Sequence, residues 1–212
     1  VVLLVDGSTS MLSGDKFLRA RQAAAAFGVM GLLNLERVSV YGIHSAGEQP
    51  AVFPPSTGRT KMRLLLSFLE RMEGGGSIPL EQSIELMLRF HRGRGVAILL
   101  SDFLTLGDLS RPLNMLYSSG LEPWGLQILS EAEVAPDVEG DLRFVDSETG
   151  TTLDITNAAE LLSVYQQQRR QLERYLDAQC RRRQGRFLSV STGVDLEQLL
   201  RDRLCRQGWV LR

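Results

Sequence analysis

The chain has 212 residues, 43% hydrophobic and 23% charged, an ordinary balance for a globular protein able to bury a core. Its formal net charge of −1 gives no electrostatic case for nucleic acid or an acidic membrane surface. Cys180 and Cys205 stand far apart with no CxxC spacing, which excludes a zinc framework or a disulfide scaffold and fits two free thiols in a reducing cytoplasm.

The opening run VVLLV closes on Asp6-Gly7, as expected of a strand buried on both faces. Val1 already reads as the inside of a core strand without an initiator methionine, so the sequence reads as a fragment of a longer chain. Targeting or membrane segments upstream therefore stay open. GDKFLRARQAAAAFGVMGLLN predicts a long helix, apolar almost all round, yet too rich in alanine and glycine to span a bilayer. RVSVYGIH predicts a second strand, and QPAVF a third that stops at Pro54-Pro55. TKMRLLLSFLERM has the spacing of an amphipathic helix, EGGGS reads as a flexible connector, and IPLEQSIELMLRFHR as a helix with Pro79 in its first turn.

GVAILLSD repeats the opening pattern, an apolar run ending on Asp102. LSRPLNMLYSSG predicts a short helix, EPWGLQILS a strand, and DLRFVDSETGTTLDIT a hairpin turning at Ser147–Gly150. NAAELLSVYQQQRRQLERYLDAQCRRR is a long helix with Arg181, Arg182 and Arg183 expected at its solvated end. RFLSVST and VDLEQLLRDRLCRQG close the chain as strand and helix. No repeat or low-complexity linker divides the sequence, so residues 1–212 are expected to form one domain. The alternation predicts a doubly wound α/β fold: a mainly parallel central sheet, helices on both faces, and a late β-hairpin insertion.

In such a fold, ligands bind beyond the carboxyl ends of the strands, where the strand order reverses. Asp6 and Asp102 both end all-apolar, hence central, strands, and in the common winding order those strands are neighbours across the reversal. Asp6, Ser8 and Ser10 are oxygen donors with nothing bulky between them, a combination suited to a hard cation such as Mg²⁺.

Asp6-Gly7-Ser8-Thr9-Ser10 resembles the DxSxS motif of the metal-ion-dependent adhesion site in von Willebrand factor A domains. The resemblance implies that Ser8 and Ser10 bind Mg²⁺ or Mn²⁺ directly, that Asp6 acts through water, and that Asp102 in LLSDF completes the set. The family's later Gly-Gly-Thr is here Gly75-Gly76-Ser77, which makes Ser77 the remaining hydroxyl ligand. Aligning on the downstream leucine would instead place Ile78 there, with no ligand. Together with SDF and the turn bearing Asp146, Glu148 and Gly150, the motif resembles the bacterial domain-of-unknown-function family 58 over essentially the whole chain. That resemblance implies a von Willebrand factor A-like fold and a role beside a MoxR-type AAA+ ATPase in chaperone-like assembly or maturation. The partner would then be a protein supplying an Asp or Glu to the cation, the ATPase itself or its client, with no nucleic acid, in the cytoplasm or on a membrane-associated parent chain.

The rival reading is a metal-dependent hydrolase using the same aspartates. Against it, position 8 is a serine where a DxDx(T/V) phosphatase has its second aspartate, no GxSxG occurs, and neither His44 nor His91 is spaced as a base for Ser8 or Ser10. The expectation is therefore a binding module and not an enzyme. The glycine run lacks GxxxxGK[ST], so nucleotide binding is not expected.

Overall fold

The computed structural model describes residues 1–43, 50–76, 78–104, 108–136, 142–145, 152–155, 158–206 and 208–209. Its centre is β1 (Val2–Asp6), where Leu3, Leu4 and Val5 are completely buried. Each such side chain contributes on the order of 1.5–3 kcal/mol relative to an exposed one. β1 lies between two parallel neighbours, β2 (Val38–Ile43) and β4 (Gly95–Ser101). β5 (Leu121–Leu129) and β8 (Phe187–Ser191) continue the parallel run beyond β4, and β3 (Val52–Ser56) closes the other edge antiparallel to β2. The order is therefore β3-β2-β1-β4-β5-β8, with the winding reversing between β1 and β4, as the alternation of the sequence predicts.

Residues alternate across the pleat, so each strand feeds two cores. Leu3 and Val5 face α1 (Lys16–Leu33) and α2 (Met62–Glu70), whereas Val2 and Leu4 face α3 (Leu80–Phe90), α4 (Ser110–Ser118) and α6 (Ala158–Arg181). α1 comes close to α2 because Gly28 has no side chain: a Cβ there would lie 2.5 Å from Leu65 Cδ2. β6 (Leu142–Val145) and β7 (Thr152–Ile155) pair antiparallel as a separate two-stranded sheet, the hairpin expected between β5 and α6; its turn lies outside the described residues. Among the described residues no helix is long and apolar enough to cross a membrane.

Three expectations need correction. β3 does not stop before Pro54-Pro55 but runs through both. The prolines oppose Ser39, where the β2–β3 register shifts, and an edge strand with a bulge can do without their N–H groups. The last helix starts as α7 (Leu196–Gln198), widens into a π turn over Leu199–Leu204 and returns to α form over residues 205–206.

The third correction concerns Arg183, which is not solvated. It is 7% exposed; its guanidinium donates to Asn114 Oδ1 (2.8 Å), the Gln179 backbone oxygen (2.6 Å), Gln179 Oε1 (2.8 Å) and the Ser110 backbone oxygen (3.2 Å). It fastens the end of α6 to the start of α4, while its exposed neighbour Arg181 only pairs with Asp177 one turn back. Replacing Arg183 with leucine leaves buried acceptors unsatisfied and should cost about 2–3 kcal/mol in urea unfolding. The same change at Arg181 should stay within about 0.5 kcal/mol; equal effects would show that Arg183 is not the fastening.

Candidate metal centre

β1 and β4 deliver their last residues side by side at the strand reversal. Asp6 is 2% exposed, and each of its carboxylate oxygens has a donor of its own. Oδ1 accepts from the Ser8 backbone N–H at 2.8 Å, and Oδ2 accepts from the Ser101 hydroxyl. Ser101 Oγ in turn accepts from the Phe103 N–H at 2.9 Å. Asp102 is equally buried and fixed: Oδ1 accepts from the Leu104 N–H at 3.0 Å, and Gln127 Nε2 donates to its backbone oxygen at 2.9 Å. Between them Phe103 takes a left-handed conformation (φ 55°), which sends its ring into the core against Phe187 while the chain turns around Asp102.

The two motif serines come together as expected. Ser8 Oγ and Ser10 Oγ are 3.1 Å apart, and both residues are buried. Two neighbouring oxygens on an octahedral Mg²⁺, with bonds of about 2.0–2.1 Å, lie about 2.9 Å apart. The hydroxyl pair is thus already close to the spacing such an ion needs, with two carboxylates held nearby on the β1 and β4 ends. Among the described residues no three carboxylate, imidazole or thiol groups cluster as a metal site. A cation here would depend on hydroxyls, and the donor set fits a hard ion.

The glycine segment is not a free connector. Gly75 N and Gly76 N both donate to the Gly7 backbone oxygen, at 2.6 and 3.3 Å, and Gly76 forms a bridge with Ser8. The approach requires glycine: a Cβ on Gly74 would stand 3.1 Å from the Gly7 oxygen and 2.9 Å from Leu12 Cδ2. Ser77 itself lies outside the described residues, as do His44 and the Asp146, Glu148 and Gly150 turn. His91 is remote in another sense. It caps α3 ahead of β4, at the amino end of the sheet, with its ring edge-on to Tyr41, and burial lowers its pKa.

Two residues at the centre carry no mark in the motif. Lys16, the first residue of α1, is 1% exposed, and its ammonium lies 2.8 Å from Asp102 Oδ2 and 2.6 Å from Glu133 Oε1. Burial works against its charge, but the two carboxylates outweigh burial and hold its pKa above the ordinary lysine value. Glu133 belongs to a short helix, α5 (Glu131–Val134), capped by a reciprocal pair: Ser130 N donates to Glu133 Oε2 at 2.7 Å and Glu133 N to Ser130 Oγ at 3.2 Å. The Tyr165 hydroxyl donates to the Glu133 backbone oxygen at 2.7 Å, tying α6 to the same corner. The sequence carries only faint signals of either residue: Ser130-x-x-Glu133 is a legible capping pattern, and Lys16 is one of two lysines in a chain otherwise supplied with arginine.

Residues 1–175 match the family described as protein of unknown function DUF58. The chain belongs to that family. No curated protein matches it in sequence. Among solved structures, this DUF58 chain is similar to the conserved hypothetical protein BatB from Bacteroides thetaiotaomicron, with 12% identity, 99% of this chain and 98% of that one covered, and a TM-score of 0.54. It is also similar to an aerotolerance-related membrane protein from Bacteroides fragilis (18% identity, 90% of each chain, TM-score 0.47). A von Willebrand factor type A protein from Catenulispora acidiphila matches with 17% identity over 60% of this chain and 32% of that one, with a TM-score of 0.41. The BatB likeness spans nearly all of both chains and shows a shared fold.

Ser101 secures Asp6 from β4. Ser101→Ala should therefore lower stability by about 1–2 kcal/mol, because a buried carboxylate oxygen loses its donor. Thermal unfolding checks this, and an unchanged midpoint would show that the hydroxyl is dispensable.

Proposed function

We propose that this chain is a metal-dependent protein-interaction module. In this reading Ser8 and Ser10 hold Mg²⁺ or Mn²⁺ directly, Asp6 and Asp102 act through water, and Ser77 supplies a further hydroxyl. The observation that carries it is the 3.1 Å hydroxyl pair buried at the strand reversal beside Asp6. Both oxygens of Asp6 already accept hydrogen bonds, which suits an indirect role better than direct ligation. When bound, the cation would supply an electron-poor centre that attracts an anionic oxygen. The chain's own contribution is to hold neutral hydroxyls at fixed spacing and to exclude bulk water, so that a carboxylate added there counts for more than on an open surface.

The partner class is accordingly a protein presenting an Asp or Glu side chain. Family resemblance points to a MoxR-type AAA+ ATPase or a client that it remodels. Binding rather than catalysis is supported by the engagement of the Lys16 ammonium with two carboxylates.

Calorimetric titration with Mn²⁺ should give binding that Asp6→Ala and Asp102→Ala each weaken by about 10–100-fold, the range seen when groups that support metal ligands are removed. Undiminished binding in both variants would refute the site. Ser77→Ala should weaken binding and Ser77→Thr preserve it; if Ser77→Ala has no effect, the alignment on Ile78 is right. Capture of the ATPase or client on the immobilised protein should be abolished by EDTA and by Asp6→Ala with the circular dichroism spectrum intact. A complex that survives both would move recognition to another surface.

A further inference from the structure

Lys16 is a full positive charge buried within the very constellation that is read as a cation site. Its position is unfavourable on two counts, since burial removes its hydration and the amino end of a helix repels a cation. It is held there by carboxylates from two other segments, Asp102 after β4 and Glu133 in α5 after β5. We propose that Lys16 is the resident cation of the crevice: it competes with the divalent ion for Asp102, and Glu133 sets the strength of that competition by sharing the ammonium. This rests on the metal-centre reading above.

The contacts give the competition its direction. Asp102 has Oδ1 committed to the Leu104 N–H and Oδ2 to the ammonium, so the negative charge it can lend to a second cation is already partly compensated. Ammonium and divalent ion also repel each other across a buried space, where charges interact far more strongly than in water. Glu133 pulls the other way. Its second oxygen is pinned by the Ser130 N–H, so it cannot follow the ammonium toward Asp102 and instead draws the ammonium toward α5. Removing the lysine charge leaves the buried Asp102 carboxylate and the partly exposed Glu133 carboxylate without their shared cation and raises the attraction for a divalent ion. Removing the Glu133 charge leaves the ammonium to Asp102 alone and lowers it. The two sides of one ion pair therefore move metal affinity in opposite directions, whereas purely structural support would weaken binding from both sides.

The test is Mn²⁺ titration calorimetry at fixed ionic strength on the purified chain, with circular dichroism to verify folding. Lys16→Met should bind Mn²⁺ roughly tenfold more tightly or better, and Glu133→Gln several-fold more weakly, given one unit charge removed at close range. A folded Lys16→Met with unchanged or weaker affinity would overturn the proposal. If Lys16→Met does not fold, the double variant Lys16→Met/Glu133→Gln removes one charge of each sign and should bind more tightly than Glu133→Gln alone. Unchanged or tighter binding in Glu133→Gln would overturn the proposal independently. Binding by the native chain that Asp6→Ala weakens, combined with no tightening in Lys16→Met, would defeat this inference while leaving the metal centre standing. No Mn²⁺ binding by any variant would defeat both.

Discussion

The parallel pairing of β1 with β4 is the constraint on which the crevice depends. Val5 stands opposite Leu100, so the next residues along, Asp6 and Ser101, meet at the strand ends although they are separated by 95 positions. The register is imposed by burial. β1 is buried along its whole length and the last five residues of β4 are buried too, and a slip of one residue would send every side chain to the opposite core. The two acids therefore do not find each other by attraction, which two carboxylates lack. Apolar packing of the strands places them together, and hydrogen bonds from Ser8 N–H, Ser101 and Leu104 N–H make the arrangement tolerable.

Much of this is legible in the amino-acid sequence. The alternation of apolar runs and helical segments implies the strand order at the centre, and with it the neighbourhood of Asp6 and Asp102. The short spacing of Ser8 and Ser10 brings their hydroxyls together because both lie on one tight loop. What escapes the sequence are contacts chosen by tertiary structure alone. Lys16 reads as an ordinary residue at a helix start, and only the arrival of Asp102 and Glu133 from distant segments makes it a buried ion. Ser101 reads as the end of a strand until Asp6 is set beside it. The glycine run looks like slack chain, since nothing local reveals that its N–H groups will meet the Gly7 carbonyl. Arg183 misleads for a related reason: a run of arginines at a helix end looks solvated unless a second helix packs across it.

Buried charge is the main expense of this architecture. Each ion withdrawn from water costs several kcal/mol before its partners are counted. Here the buried carboxylates of Asp6 and Asp102, with the partly exposed Glu133, stand against one ammonium, and the remaining balance is met by backbone N–H groups and hydroxyls. Hydrophobic residues would serve stability better at such positions. That the charges sit instead at the strand reversal, where this class of fold places its ligands, marks the crevice as the candidate functional site.

The two prolines of β3 bear on a different property, the behaviour of the molecule in crowded solution. An open sheet presents unpaired amide groups at its margins, and these can recruit a strand from a neighbouring molecule. Pro54 and Pro55 are both exposed and neither carries an N–H. An incoming strand therefore finds two missing donors in the middle of a five-residue edge. Templated growth of the sheet from this margin, the first step toward fibrous assembly, is interrupted by the same residues that bend the ladder within the fold.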